Sequence, residues 1–467
     1  MNEKKLTILL VLGRGETIRN FVLSGMAAYL RQYVSLAAIA VFPNDEIREI
    51  LENEFDELYE LKNIKRNRIS GYLHDWIDIV HGRFLWSGVA QWRWKLRDHE
   101  AKEKGKTFKR SMQKIVALPF ASAGGIEFLD KIERIQNETI SPSNYYLDLL
   151  KKINPDHVFN GSHIHNKNTL PIMHAANKLG LKTSTFLFSW DNLTSQGRIL
   201  PSYNKYIVWN ESIKKDLLSI YRKIKEEDVY ISGTPQFDFH FKKENFWSRE
   251  IYCAKIGADP HKPIILYTTG MLNIQVGEEA VLEGIADRIA EMPEPRPQLV
   301  VRVYPKDTTG RFDLVKARRP DIIFPKIPWE KNYLTPMPED LVLWTNMLIH
   351  CEMGINVAST VSLELCMFSK PCLNVAYNPP GLNIYPKDYP SVYQWEHYVP
   401  LTNSGALYIA YSEAEIVEMI KDALAHPLKY EVQQKQLIEK FFGDKLDGKS
   451  YLRIADKLLE WAGLRKN

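Results

Sequence analysis

Short apolar runs alternate with longer stretches whose apolar residues recur every three or four positions, and the alternation occurs twice along the chain. Leu6–Leu12 is a continuous apolar run bounded by turn residues, the pattern of a strand covered on both faces. A glycine turn at Gly13–Thr17 follows, then an amphipathic helix over Ile18–Gln32, a strand over Val34–Phe42 and a helix from about Asp45 to Phe55. Beyond residue 140 the pattern predicts a helix at Ser141–Ile153 and a strand at Pro155–Asn160 running into Gly161–His165. A helix at Thr169–Lys178 and a strand at Lys182–Phe188 ending in Ser189–Asn192 come next. Strand Tyr206–Trp209, helix Glu211–Tyr221 and strand Val229–Gly233 close the first series. The second begins at Pro263–Thr269 and continues with helix Ala280–Ala290 and strands Gln298–Tyr304, Ile322–Phe324 and Leu341–Trp344. Helices at Ser412–Leu424, Gln433–Phe442 and Ser450–Trp461 end it. Such βαβ order predicts an α/β protein with parallel sheets and right-handed crossovers, built as two Rossmann-like halves.

The most informative stretch is Met353–Ala376. A short apolar run turns through Ala358-Ser359-Thr360, helical spacing covers Val361–Phe368, and Ser369-Lys370-Pro371 ends it, because proline disfavours helical geometry in the residue before it. Cys372–Ala376 then reads as a buried strand. Free backbone N–H groups at such a helix start attract phosphate, so Ser359 and Thr360 are candidate phosphate contacts. Glu364, one turn inside, is either a solvated first-turn acid or the acceptor of both hydroxyls of a ribose.

Lys62–Lys114 breaks the alternation. Fourteen Lys and Arg residues face five Asp and Glu there, with Tyr72, Trp76, Phe84, Trp86, Trp92 and Trp94 interleaved. Basic charge with interfacial aromatics suits an anionic membrane surface or a lipid-diphosphate acceptor, and equally a solvated helical insertion with core aromatics.

Composition narrows the class. With 467 residues, 45% hydrophobic and 25% charged, the chain is an ordinary globular protein of two domains. The four cysteines show no C-x-x-C spacing, which points to reduced packing cysteines in a cytoplasmic protein. Met1–Lys5 leads straight into a strand with no cleavable signal pattern, and the apolar runs fall short of the ~20 residues of a membrane span. A net charge of +4 does not imply nucleic acid. The lone Gly13-x-Gly15 lacks the third glycine and acid of a dinucleotide site.

The turn Ser359-Thr360, the acid Glu364 and the pair Lys370-Pro371 resemble the donor-nucleotide loop of GT-B glycosyltransferases and their neighbours, UDP-N-acetylglucosamine 2-epimerases and CDP-glycerol glycerophosphotransferases. The run Tyr206–Trp209, Asn210-Glu-Ser212, Val229–Gly233 and Thr234-Pro235 is similar to the exit from the first GT-B domain. Glu396-His-Tyr-x-Pro400, Ser404-Gly405 and Asp447-Gly-Lys-Ser450 resemble bacterial surface-polysaccharide glycosyltransferases. The resemblance implies the GT-B fold, with two Rossmann-like domains facing across a cleft. An acceptor domain would cover residues 1–238 with the insertion 62–114, and a nucleotide-sugar domain 239–449. A last helix, 450–467, would cross back to the first domain. It further implies an inverting glycosyltransferase that moves a sugar from a nucleotide-sugar donor to a glycan or lipid-linked acceptor in polysaccharide biosynthesis. An epimerase, a glycerophosphotransferase or a non-catalytic nucleotide-sugar binder are the alternatives. The expected place is the cytoplasm, with peripheral attachment to the inner face of the membrane.

Ligands of open parallel sheets lie beyond the carboxyl ends of the strands. On the donor side that selects Thr268, Thr269 and Gly270, Arg302 and Lys306 for the diphosphate, and Ser359, Thr360 and Glu364. The base of the nucleotide is expected near Pro325–Asp340, where Trp329 can stack. On the acceptor side it selects Gly13, Arg14, Gly15, Trp190 and Asn192. Glycosyl transfer needs a group to take the acceptor proton. Asp191 is the first candidate, although an Asx turn before Thr194 explains it too. Glu16 is second, since some GT-B transferases carry their base in a Gly-Glu pair after the first strand; His163 is third. His163 and His165 lack further ligands for zinc. With no Asp-x-Asp after a first-domain strand, neither metal nor cofactor is expected, cationic side chains taking the metal's place.

Overall fold

The computed structural model describes residues 5–64, 67–164 and 167–464; Met1–Lys4, Lys65, Arg66 and His165 lie outside them. The chain forms two compact units. The first comprises Met1–Asp238, Asn332–Thr335 and Lys445–Asn467, and the second Phe239–Lys331 and Pro336–Asp444.

The first unit is built on a parallel sheet of seven strands: β1 (Thr7–Leu12), β2 (Ser35–Ala40), β3 (Glu57–Glu60), β4 (His157–Asn160), β5 (Thr183–Phe186), β6 (Lys205–Val208) and β7 (Val229–Ile231). Their order is β3-β2-β1-β4-β5-β6-β7. Thr7 pairs with Ser35 on one side of β1 and Ile8 with His157 on the other, so the order reverses between β1 and β4. The apolar run of β1 is fully buried from Ile8 to Leu12, as a strand covered on both faces requires.

The helix expected over Ile18–Gln32 is interrupted. Gly15–Ile18 passes into a π turn at Arg19–Leu23, and the chain restarts at Met26–Arg31 after Gly25, whose φ of 100° is open to glycine. The inserted layer is also longer than residues 62–114. Helices Arg68–Leu85, Gly88–Glu103, Thr107–Ala117, Ala123–Ile135 and Asn144–Ile153 fill the span between β3 and β4. Asn67, Ser87 and Ser122 start three of them, each side chain accepting from a first-turn amide. Ile77, Val80, Ile126 and Leu129 make a separate small core, against which Trp76, Phe84 and Trp94 pack. Those three aromatics are therefore internal, whereas Tyr72 and Trp86 are exposed.

The last helix, Ser450–Ala462, belongs to the first unit, with Ile454, Leu458 and Leu459 fully buried. Asp238 caps it, accepting from the Ser450 and Tyr451 amides at 3.1 and 2.9 Å. A carboxylate at that end also meets the positive pole of the helix.

The second unit holds a parallel sheet of six strands. β8 (Ile264–Thr268), β9 (Gln298–Arg302) and β10 (Ile322–Ile323) are followed by Met353–Asn356, Cys372–Val375 and Tyr408–Ala410. The order is β10-β9-β8, then those three in sequence, so this sheet reverses between β8 and Met353–Asn356. The strand expected at Leu341–Trp344 is instead the middle of a helix, Pro338–His350. Pro338 at its first position and the acids Glu339 and Asp340 in its first turn are helix-start signals that outweigh the short apolar run. All four cysteines are free and buried. Among the described residues no helix is long and apolar enough to cross a membrane.

Candidate functional site

In the second unit the reversal brings Thr268, at the end of β8, beside Asn356. The chain then turns through Val357–Thr360, with Ala358 held at a φ of 41°, into the helix Val361–Met367. Asn356 organises this turn: its Oδ1 accepts from the Ser359 amide at 3.1 Å and the Ser362 hydroxyl at 3.2 Å. Tyr393 Oη takes the Ala358 amide at 3.2 Å, and Ser359 Oγ takes that of Val361 at 3.3 Å. The amides expected to await phosphate are thus engaged inside the protein. Ser359 and Thr360 shape the turn, and Gly354 lets the helix approach the strand, since a Cβ there would lie 2.3 Å from Leu365.

Glu364 is buried among partners that the sequence did not suggest. Its Oε1 accepts from His240 Nε2 at 2.9 Å and from Trp344 Nε1 at 2.8 Å, while His240 Nδ1 lies 3.1 Å from Thr345 Oγ1. Both hydrogen bonds run to one oxygen, Oε1. Arg302 does not point at an open phosphate position. It forms a buried two-point pair with Asp340, both contacts at 2.8 Å, and its guanidinium lies over Trp344. Trp329 donates to the same carboxylate through Nε1, which fixes the ring expected to stack on the base.

The loops after β8 and β9 are tied by Arg311, which reaches the Gly270 and Gln275 carbonyls and the carboxylates of Glu278 and Asp307. Gly270 gives its amide to Glu278, and Thr269 Oγ1 accepts the Tyr304 amide at 2.8 Å. Thr268 Oγ1 is buried and makes no hydrogen bond among the described residues. Lys306 lies half-buried over the ring of Tyr304.

In the first unit, Glu16 is buried with its carboxylate 3.2 Å from Arg14 Nε, a contact whose geometry makes it an ion pair rather than a hydrogen bond. Gly13 is buried, and Gly15 gives its amide to the Tyr333 carbonyl and has no room for a side chain beside Thr335. Asp191 takes the Ser189 and Ser195 hydroxyls at 2.5 and 2.6 Å and begins the short helix Asn192–Ser195. Asn192 accepts the Ser189 amide at 2.8 Å, and Trp190 is buried. The Asx turn considered for Asp191 is not what forms: its carboxylate takes hydroxyls and makes no cap bond to the first-turn amides, which go to the Asp191 carbonyl instead.

A pocket of about 610 Å³ opens in this unit, lined by helices Arg68–Leu85, Gly88–Glu103 and Thr107–Ala117 and by the loops that follow β4 and β5. His163 lines it, 3.3 Å from the Phe186 carbonyl through Nδ1; Asp191, Glu16, Trp190 and Asn192 do not. Arg93 and Arg97 lie on one face of their helix, and burial pushes both guanidinium groups below their ordinary range. Their spacing of four was present in the sequence but lost in a count of charges.

No protein-family profile matches the chain, and no curated protein matches it. Solved structures do. The UDP-GlcNAc 2-epimerase from Neisseria meningitidis bound to UDP-GlcNAc is 14% identical over 97% of this chain and 100% of its own, with a TM-score of 0.56. The Methanocaldococcus jannaschii UDP-GlcNAc 2-epimerase in complex with UDP-GlcNAc and UDP is 14% identical over the same shares, at 0.54. The S. aureus MnaA–UDP structure is 13% identical over 99% and 98%, at 0.53. The chain has the GT-B fold. Its two strand orders are the Rossmann order of that fold, the first lengthened by one strand, and the helical layer between β3 and β4 is an elaboration of its first half.

Proposed function

We propose that the protein is a GT-B glycosyltransferase that moves a sugar from a nucleotide-sugar donor to a glycan or lipid-linked acceptor in surface-polysaccharide synthesis. The second unit takes the donor. Glu364 meets the ribose, and Thr268, Lys306 and the rigid turn at Ser359-Thr360 surround the diphosphate. Nucleotide sugars named with the similarly folded structures support this assignment. Arg302 serves by holding Asp340 and Trp344 in place.

One observation carries the choice of transfer over epimerisation: the 610 Å³ cationic pocket in the first unit. An epimerase handles a single small substrate and has no use for a second chamber. His163, beyond the end of β4 and on the pocket wall, is the group we assign to the acceptor proton, ahead of Asp191 and Glu16. The leaving diphosphate is met by side chains, so neither metal nor cofactor is required.

Helix Thr107–Ala117 supports attachment to an anionic membrane. Phe108, Met112, Ile115 and Val116 form an exposed stripe, with Phe108 79% accessible, and Lys102, Lys104, Lys106 and Lys109 flank it.

Incubation with a panel of nucleotide sugars, with and without a glycan or lipid-linked acceptor, tests the reading. Acceptor-dependent nucleotide release supports it. An isomerised donor makes the protein an epimerase, and saturable binding without turnover makes it a binding protein.

A further inference from the structure

Seven cationic side chains and three acids line the first-unit pocket. Some of that charge is already met: Arg110 pairs with Asp98 at 2.8 Å and Arg198 with Asp130 at 2.7 Å. Lys104 lies 4.0 Å from Glu100. Arg93, Arg97, Lys106 and Lys109 form no ion pair among the described residues. Arg93 is held in position by the Ser195 carbonyl.

Arg93 and Arg97 stand one turn apart on helix Gly88–Glu103, both half-buried. Like charges at that spacing destabilise a helix, and partial burial adds desolvation. An anion seated between them offsets both. His163, just beyond β4, and Gln196–Arg198, after the short helix that follows β5, also line the pocket, on the side of the sheet's carboxyl ends where ligands of open sheets sit. Gly197 packs so closely on Asp78 that a Cβ would lie 2.1 Å from Oδ1, and Asp78 accepts the Arg198 amide at 3.1 Å, which fixes that wall.

We propose that this pocket binds a phosphate or diphosphate group carried by the acceptor, gripped by Arg93 and Arg97 with Lys106 and Lys109 at the rim. Two guanidinium forks match phosphate oxygens in geometry as well as charge. The volume exceeds that of a diphosphate, so an attached sugar has room beside His163. The word acceptor rests on the transferase reading; the anion site does not.

Titration calorimetry of the full chain with inorganic pyrophosphate tests the site. Wild type binds; Arg97→Gln and Arg93→Gln weaken binding roughly tenfold or more, Arg97→Lys keeps most of it, and Lys421→Gln, on the exposed side of helix Glu413–Ala425, leaves it unchanged. Unaltered circular dichroism and Tm show that the variants are folded. No binding by wild type, or wild-type affinity in both Gln variants, overturns the proposal. Competition with farnesyl diphosphate and with glucose 1-phosphate separates a lipid-linked from a soluble source, and displacement by neither overturns the assignment to an acceptor. Pyrophosphate binding that depends on Arg97, in a protein that releases no nucleotide from any nucleotide sugar, sinks the transferase reading and leaves the anion site standing.

Discussion

Glu364 and His240 share a buried hydrogen bond of 2.9 Å, although 124 positions separate them in the chain. With Trp344 on the same oxygen, the carboxylate is oriented before any nucleotide arrives. Glu364→Ala strands two buried donors and is expected to cost about 1–3 kcal/mol of stability besides weakening donor binding. Glu364→Gln keeps an acceptor for both donors, so the fold holds while nucleotide affinity falls several-fold. Calorimetry with the nucleotide that proves to bind is the measurement, and unchanged affinity in the Gln variant removes the ribose assignment.

Asp340→Ala leaves the Arg302 charge buried without its partner. Breaking such a pair costs about 3–5 kcal/mol, whereas an apolar replacement of both members is often neutral. Urea denaturation of Asp340→Ala, Arg302→Met and the Arg302→Met/Asp340→Leu double variant should show the double variant more stable than Asp340→Ala. An additive loss would mean that the pair is not what steadies this region.

Transfer of the acceptor proton by His163 predicts a fall in turnover of roughly 10²–10⁴ in His163→Ala, with nucleotide affinity unchanged. Asp191→Asn should fall less, its hydroxyl partners tying it to a turn. A larger loss in Asp191→Asn would return the role to that residue.

His174 provides a pH signature of the first unit. Burial disfavours its charged form, but hydrogen bonds and charge from Glu133 at 3.0 Å and Glu138 at 3.5 Å outweigh this and raise it to about 9. A folded value above the unfolded one stabilises fully below about pH 6.5 and is lost as pH rises through about 9. His174→Gln should therefore be less stable than wild type at pH 6, by something on the order of 3 kcal/mol. The gap should narrow above pH 9; a difference constant from pH 6 to 10 would show that the ring is not charged.

The apolar stripe on helix Thr107–Ala117 predicts retention on anionic vesicles at low salt. Phe108→Glu with Ile115→Glu should lower retention roughly tenfold. Retention equal to wild type would place membrane contact elsewhere or nowhere.

The sequence displayed β1 plainly, because it is buried on both faces and carries an unbroken apolar run, whereas β3, Glu57–Glu60, is exposed or half-buried and was not expected. The helix–strand confusion at Leu341–Trp344 has the opposite cause. A helix buried over much of its surface shows no polar stripe, and only Pro338 and its acids marked the start. Glu364 stood out by its place after the turn, but His240, Trp344 and Asp340 did not. His240 reaches Glu364 from 124 positions away and Trp344 from 20, and no local spacing announces either contact. The engaged amides at Ser359 were equally hidden, since Tyr393 lies 35 positions from the Ala358 amide it accepts.

Asp238 binds a helix that begins 212 residues later, so the first unit is completed only by a segment made after the second unit. Until Ser450–Ala462 emerges from the ribosome, the surface that receives Ile454, Leu458 and Leu459 stays open to water and to other nascent chains. The first unit, although begun before the second, is then completed after it. Deleting this helix should make expression depend on chaperones while the second unit still folds.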